Sequence, residues 1–258
     1  MTRPFAAKQL PFFLTAPAPC PYLPGRMERK VFTKLDLVDG PGLNDTLTHA
    51  GFRRSQSILY RPACERCSAC RSARIVAEEF KPSRTQRRIL NRNTDLLRMA
   101  RPPEATPEQY ALLSRYLDAR HGDGDMAGMD FFDFASMVED GAQRTEMVEY
   151  RDANGVLVAA ALADRLEDGF SLVYSFFDPD LDRRSLGAFM ILDHVTRAAQ
   201  HALPYVYLGY WVQGSPKMDY KARYRPLEIL DPTGWRRLNV DERRGSAPGP
   251  SGRSDRQQ

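Results

Sequence analysis

No apolar run in the chain approaches the roughly 20 residues that a membrane-spanning helix needs. The longest, Val156 to Ala163, is short and rich in valine and alanine, which predicts a buried strand and no association with a membrane. The opening stretch MTRPFAAKQLPFFLTAPAPC is broken by proline and lacks a continuous apolar core. A signal peptide is therefore not expected, and the protein is expected to work in the cytoplasm. Missing too are HExxH, GxSxG, a P-loop and a GxGxxG leading into a helix, which removes the usual signatures of metallohydrolases, serine hydrolases and nucleotide-dependent enzymes. Only four histidines occur, His49, His121, His194 and His201. The last two lie seven apart, two helical turns and too far to share a metal ion, and read as structural.

What is present is an ordinary globular composition, 42% hydrophobic over 258 residues, enough for one large domain or two modest ones. Its charge is uneven. Between Gly51 and Arg101 stand 13 Arg and Lys against 4 Asp and Glu, a local excess of +9 in a chain whose net charge is +4. A basic block inside an otherwise acidic protein points to a polyanionic partner on one face, or to a helix with an arginine-rich solvent side.

Element signals run the length of the chain. MERKVFTKL, SQSILYRP and RSARIVAEEF predict strands, and GPGLNDTLTHAGFRR a helix capped by Asn44 or Asp45 and stopped at Gly51. Ser83 is a candidate N-cap for a basic helix, SRTQRRILNRNTDLLR. Arg101-Pro102-Pro103 breaks the chain, which predicts an N-terminal region over residues 1–102 and a second domain over 103–240. That domain opens with a helix capped by Thr106, carries a hairpin at Asn154-Gly155, and continues through a strand ending at Asp178-Pro179, a helix (SLGAFMILDHVTRAAQHAL), the strand YVYLGYWV and a short LEIL strand. Residues 241–258 are polar and rich in Gly, Pro and Ser, and predict a disordered tail. The order strand, turn, strand, strand, helix, strand in the second half is the pattern of an α/β (α+β) GNAT-type acyltransferase, with the smaller cysteine-containing half ahead of it.

Several clusters can carry chemistry. Cys64, Cys67 and Cys70 form C-x2-C-x2-C, and Cys20 follows a rigid Pro-rich stretch; such a set suits zinc or an iron–sulfur cluster, or else is a reduced, metal-free loop. Arg53, Arg54 and Ser55 with nearby Tyr60 place cations beside aromatics, a mixture that holds phosphates, stacks on a base or clamps a carboxylate. Arg84, Arg88 and Arg92 are four apart and share one helical stripe. Arg184, Ser185 and Gly187 open a helix after an arginine-bearing turn, a candidate anion site. In GNAT enzymes the matching turn, R/Q-x-x-G-x-G/A, holds the pyrophosphate of coenzyme A, and Phe189 in its last small position is expected to crowd that group. Tyr174, Tyr210, Lys217 and Lys221 suggest a polar pocket, since a buried tyrosine hydroxyl needs a partner.

The strings CPYLPGR, GFRRSQ, YRPACERCSACRSARI, SRTQRRILNRNTDL, YSFFDP, RRSLG and YVYLGYWVQGSPKMDYKARYRPLEIL resemble the bacterial aspartate/glutamate leucyltransferases, relatives of the eukaryotic arginyl-tRNA–protein transferases. The resemblance runs from about Phe12 to Leu230. It implies leucine taken from leucyl-tRNA and placed on proteins that begin with Asp or Glu, marking them for N-degron degradation. It also implies a GNAT-like catalytic half that needs no cofactor, and a cysteine half that binds metal in some relatives. The eukaryotic pattern has a CxxC near Cys20; here Tyr22 and Leu23 follow without a second cysteine. On this reading Arg53 or Arg54 pairs with acceptor carboxylate or tRNA phosphate, Arg184 meets a phosphate, and Tyr174, Tyr210, Lys217 and Lys221 line the reaction site. Two other readings remain at this point: a coenzyme A-dependent GNAT N-acetyltransferase, and a non-catalytic, metal-containing RNA-binding regulator.

Overall fold

The structure, a computed structural model, describes residues 10–35, 40–120, 126, 128–141 and 144–239. The tail expected over 241–258 lies outside them, as does His121. The chain opens with β1 (Phe13–Leu14), β2 (Ala18–Pro19), β3 (Met27–Glu28), β4 (Lys30–Lys34), α1 (Gly40–His49), β5 (Arg53–Ser55) and β6 (Ile58–Pro62). Four of these strands form a small antiparallel sheet in the order β1-β4-β6-β5. Then follow β7 (Cys70–Val76), α2 (Arg84–Arg92), β8 (Leu97–Arg101), α3 (Pro107–Arg120), α4 (Phe131–Glu139), β9 (Thr145–Arg151), β10 (Leu157–Arg165), β11 (Gly169–Phe177), α5 (Leu186–Gln200), β12 (Tyr205–Val212), β13 (Leu227–Asp231) and β14 (Gly234–Arg237). Short 3-10 turns cover Pro179–Arg184 and Asp219–Arg223.

The large sheet has eight strands in the order β14-β13-β7-β12-β11-β10-β9-β8. Its run β8-α3-α4-β9-β10-β11-α5-β12, with β11 and β12 parallel, is the expected GNAT-like arrangement of a mixed α/β protein. Both faces are covered, which is why β10 is buried along eight of its nine residues. Side chains alternate across a strand: Ala160 and Leu162 join Leu113 of α3 and Phe134 of α4, while Val158, Ala159 and Ala161 join Phe189 and Met190 of α5.

Three expectations are corrected. The division at Pro102-Pro103 is not a break between folded units, because β7 and β8 precede it yet lie in the same sheet as β9 to β14. The basic helix stops at Arg92, where Asn93 caps it and bonds Arg184 O with its side chain; Leu97 to Arg101 leave the helix to pair with β9. Asn44 and Asp45 sit inside α1 and cap nothing: Asn44 Nδ2 donates to Asp164 and Asp45 Oδ1 accepts from Glu167 N, tying α1 to the far end of β10. Ser83 and Gln86 do form a reciprocal capping box at α2.

Candidate active site

The parallel pair β11–β12 holds for three residues only, Gly169↔Tyr205, Phe170↔Val206 and Ser171↔Tyr207. Beyond them β11 stays with β10 and β12 stays with β7, so the two strands splay. A splay leaves backbone carbonyls that need donors. Arg53 supplies them: its Nη2 lies 2.6 Å from Leu172 O and 3.0 Å from Val173 O. The guanidinium reaches in from β5 because β12 carries a bulge between Tyr207 and Gly209, and Gly209 takes a left-handed φ of +72°. A Cβ at that position would overlap the Arg53 guanidinium. Sequence reasoning passed over Gly209, although a glycine inside an aromatic strand pattern is the usual sign of a bulge or close approach.

Lys221 stands within electrostatic reach of Arg53. It comes from the 3-10 turn over Asp219–Arg223, is 5% exposed, and donates to Tyr210 O at 2.5 Å. Burial, aided by the positive charge of Arg53, lowers its ammonium to about 7. Tyrosines lie nearby. Tyr174 on β11 is half-buried and its hydroxyl makes no hydrogen bond among the described residues; burial, with Tyr116 adding to it, holds the phenol above its ordinary range. Tyr220 is 40% exposed, its phenol is raised by partial burial, and it stands within electrostatic reach of Arg53 and Tyr116. Tyr116, on α3, stacks on Phe177 with ring centroids 5.0 Å apart. Its sequence position showed only helical spacing, so nothing local could have marked it.

Other expected site residues fall elsewhere. Arg54 is 3% exposed and makes a two-pronged pair with Asp164 at 2.6 and 2.7 Å; a guanidinium so enclosed meets no phosphate. Its role is to hold β5 to the large sheet, with Thr145 and Asn44 completing the cluster around Asp164. The Tyr210 hydroxyl lies 3.0 Å from Gly51 O and 2.9 Å from Tyr60 O, so it ties the small sheet to the large one and is not free for proton transfer. Tyr60 pairs with Arg53 across the small sheet and sits 6.1 Å from the Tyr210 ring. Ser55 is exposed at the end of β5, and Lys217 is exposed in the loop after β12 with no partner among the described residues.

In the turn before α5, the three residues expected to form an anion site, Arg184, Ser185 and Gly187, do not converge on one. Arg184 is taken by Asp95, at 2.6 Å, and Ser185 has a left-handed φ of +54° and caps nothing with its side chain. Gly187 faces Phe177, whose ring carbon lies 3.1 Å from where its Cβ would be. Phe189 does not crowd the turn at all; it packs into the core against Tyr150, with ring centroids 5.5 Å apart. Arg84 and Arg88 are exposed along α2.

Cys20, Cys64, Cys67 and Cys70 line one cavity of about 550 Å³ beside Gly51 and Tyr210. Arg26 Nη1 donates to Cys67 Sγ at 3.2 Å, and Cys64 Sγ donates to Arg29 O at 3.8 Å. Burial first, then the neighbouring cysteines, push the Cys70 thiol up to about 12. Among the described residues no three Cys, His, Asp or Glu side chains are close enough together to hold an ion. The four thiols gather around one cavity, the other three within electrostatic reach of Cys70, and no chemical step is assigned to a metal. Among the described residues, too, no helix is long and apolar enough to cross a membrane.

Comparison with known proteins identifies the family. Residues 18–88 match the family model described as Arginine-tRNA-protein transferase, N terminus, and residues 108–231 the one described as Arginine-tRNA-protein transferase, C terminus. An aspartate/glutamate leucyltransferase of Maricaulis maris is 65% identical over 235 residues, covering 91% of this chain and 92% of that protein. One from Caulobacter vibrioides (strain NA1000 / CB15N) is 59% identical over 261 residues, covering 99% and 94%. A solved structure, that of L-PGS from Bacillus licheniformis, aligns with a TM-score of 0.44 at 13% identity over 55% of this chain and 45% of that one, too distant to carry chemistry across. With two family models over most of its length and relatives this similar, the chain belongs to the aspartate/glutamate leucyltransferase family of aminoacyl-tRNA–protein transferases.

Proposed function

We infer that this enzyme transfers leucine from leucyl-tRNA to the N-terminal Asp or Glu of acceptor proteins, in the cytoplasm where charged tRNA is made, and so marks them for degradation. Its 65% identity to a protein of that name supports the reading. The structural observation that carries it is the Arg53 guanidinium lodged in the β11–β12 splay with Lys221 beneath it and tyrosines around it. This is a cluster of cations and tyrosine hydroxyls at the splay.

The chemistry asks little more. The donor ester is already activated, so no nucleotide motif is needed. The nucleophile is an α-amino group with an ordinary pKa of about 7.7–8.0, so a useful fraction is neutral near pH 7. Its nitrogen attacks the ester carbonyl carbon, the new C–N bond forms, the C–O bond to the tRNA's terminal ribose breaks, and the surplus amine proton ends on the ribose oxygen. Positioning can lower such a barrier by about 7–11 kcal/mol, and one donor to the developing oxyanion by about 3–4 kcal/mol. Tyr174, whose phenol burial keeps protonated, is the donor we assign to that oxyanion. The half-buried Arg53 guanidinium, whose hydrogen bonds to Leu172 O and Val173 O both run through Nη2, supplies the positive charge that favours an acidic acceptor side chain.

A coenzyme A-dependent acetyltransferase fits less well. The carbonyls of Leu172 and Val173, which a donor's amide chain would need at the splay, are already bonded to Arg53. Incubating the protein with a peptide beginning in Asp, alongside leucyl-tRNA, arginyl-tRNA or acetyl-CoA, separates the readings by mass. A gain of one leucine, from leucyl-tRNA only, is expected. Acetylation, or no transfer from any charged tRNA, overturns the assignment.

A further inference from the structure

α2 carries no acidic residue: its sequence is RTQRRILNR. Its buried side is fixed at both ends of the candidate active site. Gln86 Nε2 donates to Arg223 O, in the same 3-10 turn that supplies Lys221. Asn93 Nδ2 donates to Arg184 O, and Arg92 Nη1 donates to Arg183 O, in the turn that follows β11. Ile89 and Leu90 pack against the core under α5. The opposite face is open: Arg84, Arg87, Arg88 and Arg92 are exposed, and so are Arg183 and Arg223 beyond either end. Arg84, Arg88 and Arg183 have no side-chain partner among the described residues, whereas the nearby carboxylates are occupied, Asp95 by Arg184 and Asp182 by Arg120.

Cations left unpaired beside neutralised acids present a net positive strip. From Arg84 to Arg92 the helix rises about 12 Å, a length that faces roughly three successive phosphates of one nucleic-acid strand. We propose that the outer face of α2, continued by Arg183, is the docking surface for the stem of the donor tRNA, held through its phosphates and without reading its bases. The inference rests on the tRNA-dependent reading above and adds where the tRNA lies. Its placement follows from the two anchors: a stem along α2 runs between the turn that supplies Lys221 and the end of β11, so its aminoacylated end is delivered to the splay. Arginine dominates that face, with Asn91 the one exposed amide among its residues, so what it chiefly offers is charge for phosphates. Selection of the amino acid then belongs to the pocket, and α2 treats all tRNAs alike.

The test uses the full chain and an R84A/R88A/R183A variant, with binding of leucyl-tRNA and of an uncharged, unrelated tRNA measured as a function of salt. Each lost phosphate contact lowers the slope of log K against log salt by about 0.9, so the triple variant is expected to lose about 2–3 from the slope, equally for both tRNAs. Its melting temperature should stay at the wild-type value, since the side chains of Arg84, Arg88 and Arg183 are exposed and make no hydrogen bond or ion pair among the described residues. If the wild type binds tRNA and the variant keeps its slope, the surface is wrong while the function stands. The same holds if the variant instead raises KM for the acidic peptide, which would assign the strip to the acceptor. If the wild type neither binds tRNA nor transfers leucine, the underlying reading fails and this inference with it.

Discussion

Arg53 and Gly209 occupy one space: the guanidinium of the first lies where a side chain on the second would be. The bulge that turns Gly209 to a φ of +72° opens the strand, and the arginine entering there satisfies the carbonyls that the splay exposes. Gly209→Ala should therefore cost about 1 kcal/mol from the left-handed backbone alone, and more by displacing Arg53, for a total of about 2–3 kcal/mol. Urea unfolding measures it. In an R53A background the same substitution should cost only the backbone share, and strictly additive losses would show that the two residues are not coupled.

Arg54 and Asp164 form a pair whose side chains are each 1% exposed. Removing one partner strands a buried charge, so Arg54→Met or Asp164→Leu should each destabilise by about 3–5 kcal/mol. The double variant should recover much of that loss, since neither charge is then left alone. An R54M protein of wild-type stability that has lost tRNA binding would instead return Arg54 to the substrate.

Lys221 makes stability depend on pH in one direction. Its ammonium falls from about 10.5 unfolded to about 7 folded, so between these values the unfolded chain holds a proton that the folded one has released. Stability from this group therefore rises as pH climbs from about 7 to about 10.5, and below about 7 the burial cost of the charged form is fully present. Lys221→Met should flatten that rise. Melting curves between pH 6 and 10, the range set by these values, test it, and parallel profiles for the two proteins would refute it.

Tyr174 has a hydroxyl that makes no hydrogen bond among the described residues and that burial keeps protonated. Tyr174→Phe is expected to lower kcat by about 10²-fold, within the range seen when one oxyanion donor is removed, while KM for the peptide and the melting temperature stay close to wild type. Tyr210→Phe should behave in the opposite way. Its hydroxyl serves Gly51 O and Tyr60 O, so its loss should cost about 1 kcal/mol of stability with a smaller effect on kcat. Equal kcat losses in the two variants would count against this division of roles.

Much of the fold could be read locally. The Ser83 cap, the Thr106–Gln109 cap, the β9–β10 turn at Asn154-Gly155 and the all-apolar β10 all obey rules that act within a few residues. So, in part, could the site. Arg53 and Lys221 were within reach because cations inside aromatic strings are unusual at any position. What misled was context. Arg54 and Arg184 have the same local chemistry as Arg53, and only the chain far away, at Asp164 and Asp95, decides that they are spent on ion pairs. Phe189 occupies a turn position by sequence, but its side chain points along the helix face that meets Tyr150.

The sequence by itself determined the composition of the pocket, the basic helix and the family, because these depend on residue type and order along the chain. Only the tertiary structure decided which arginine is buried for stability, which one fills the splay and which ones remain exposed. The reason is that a charge's role is set by whether a counter-charge or a carbonyl lies within about 3 Å of it, and such neighbours here come from more than 80 residues away.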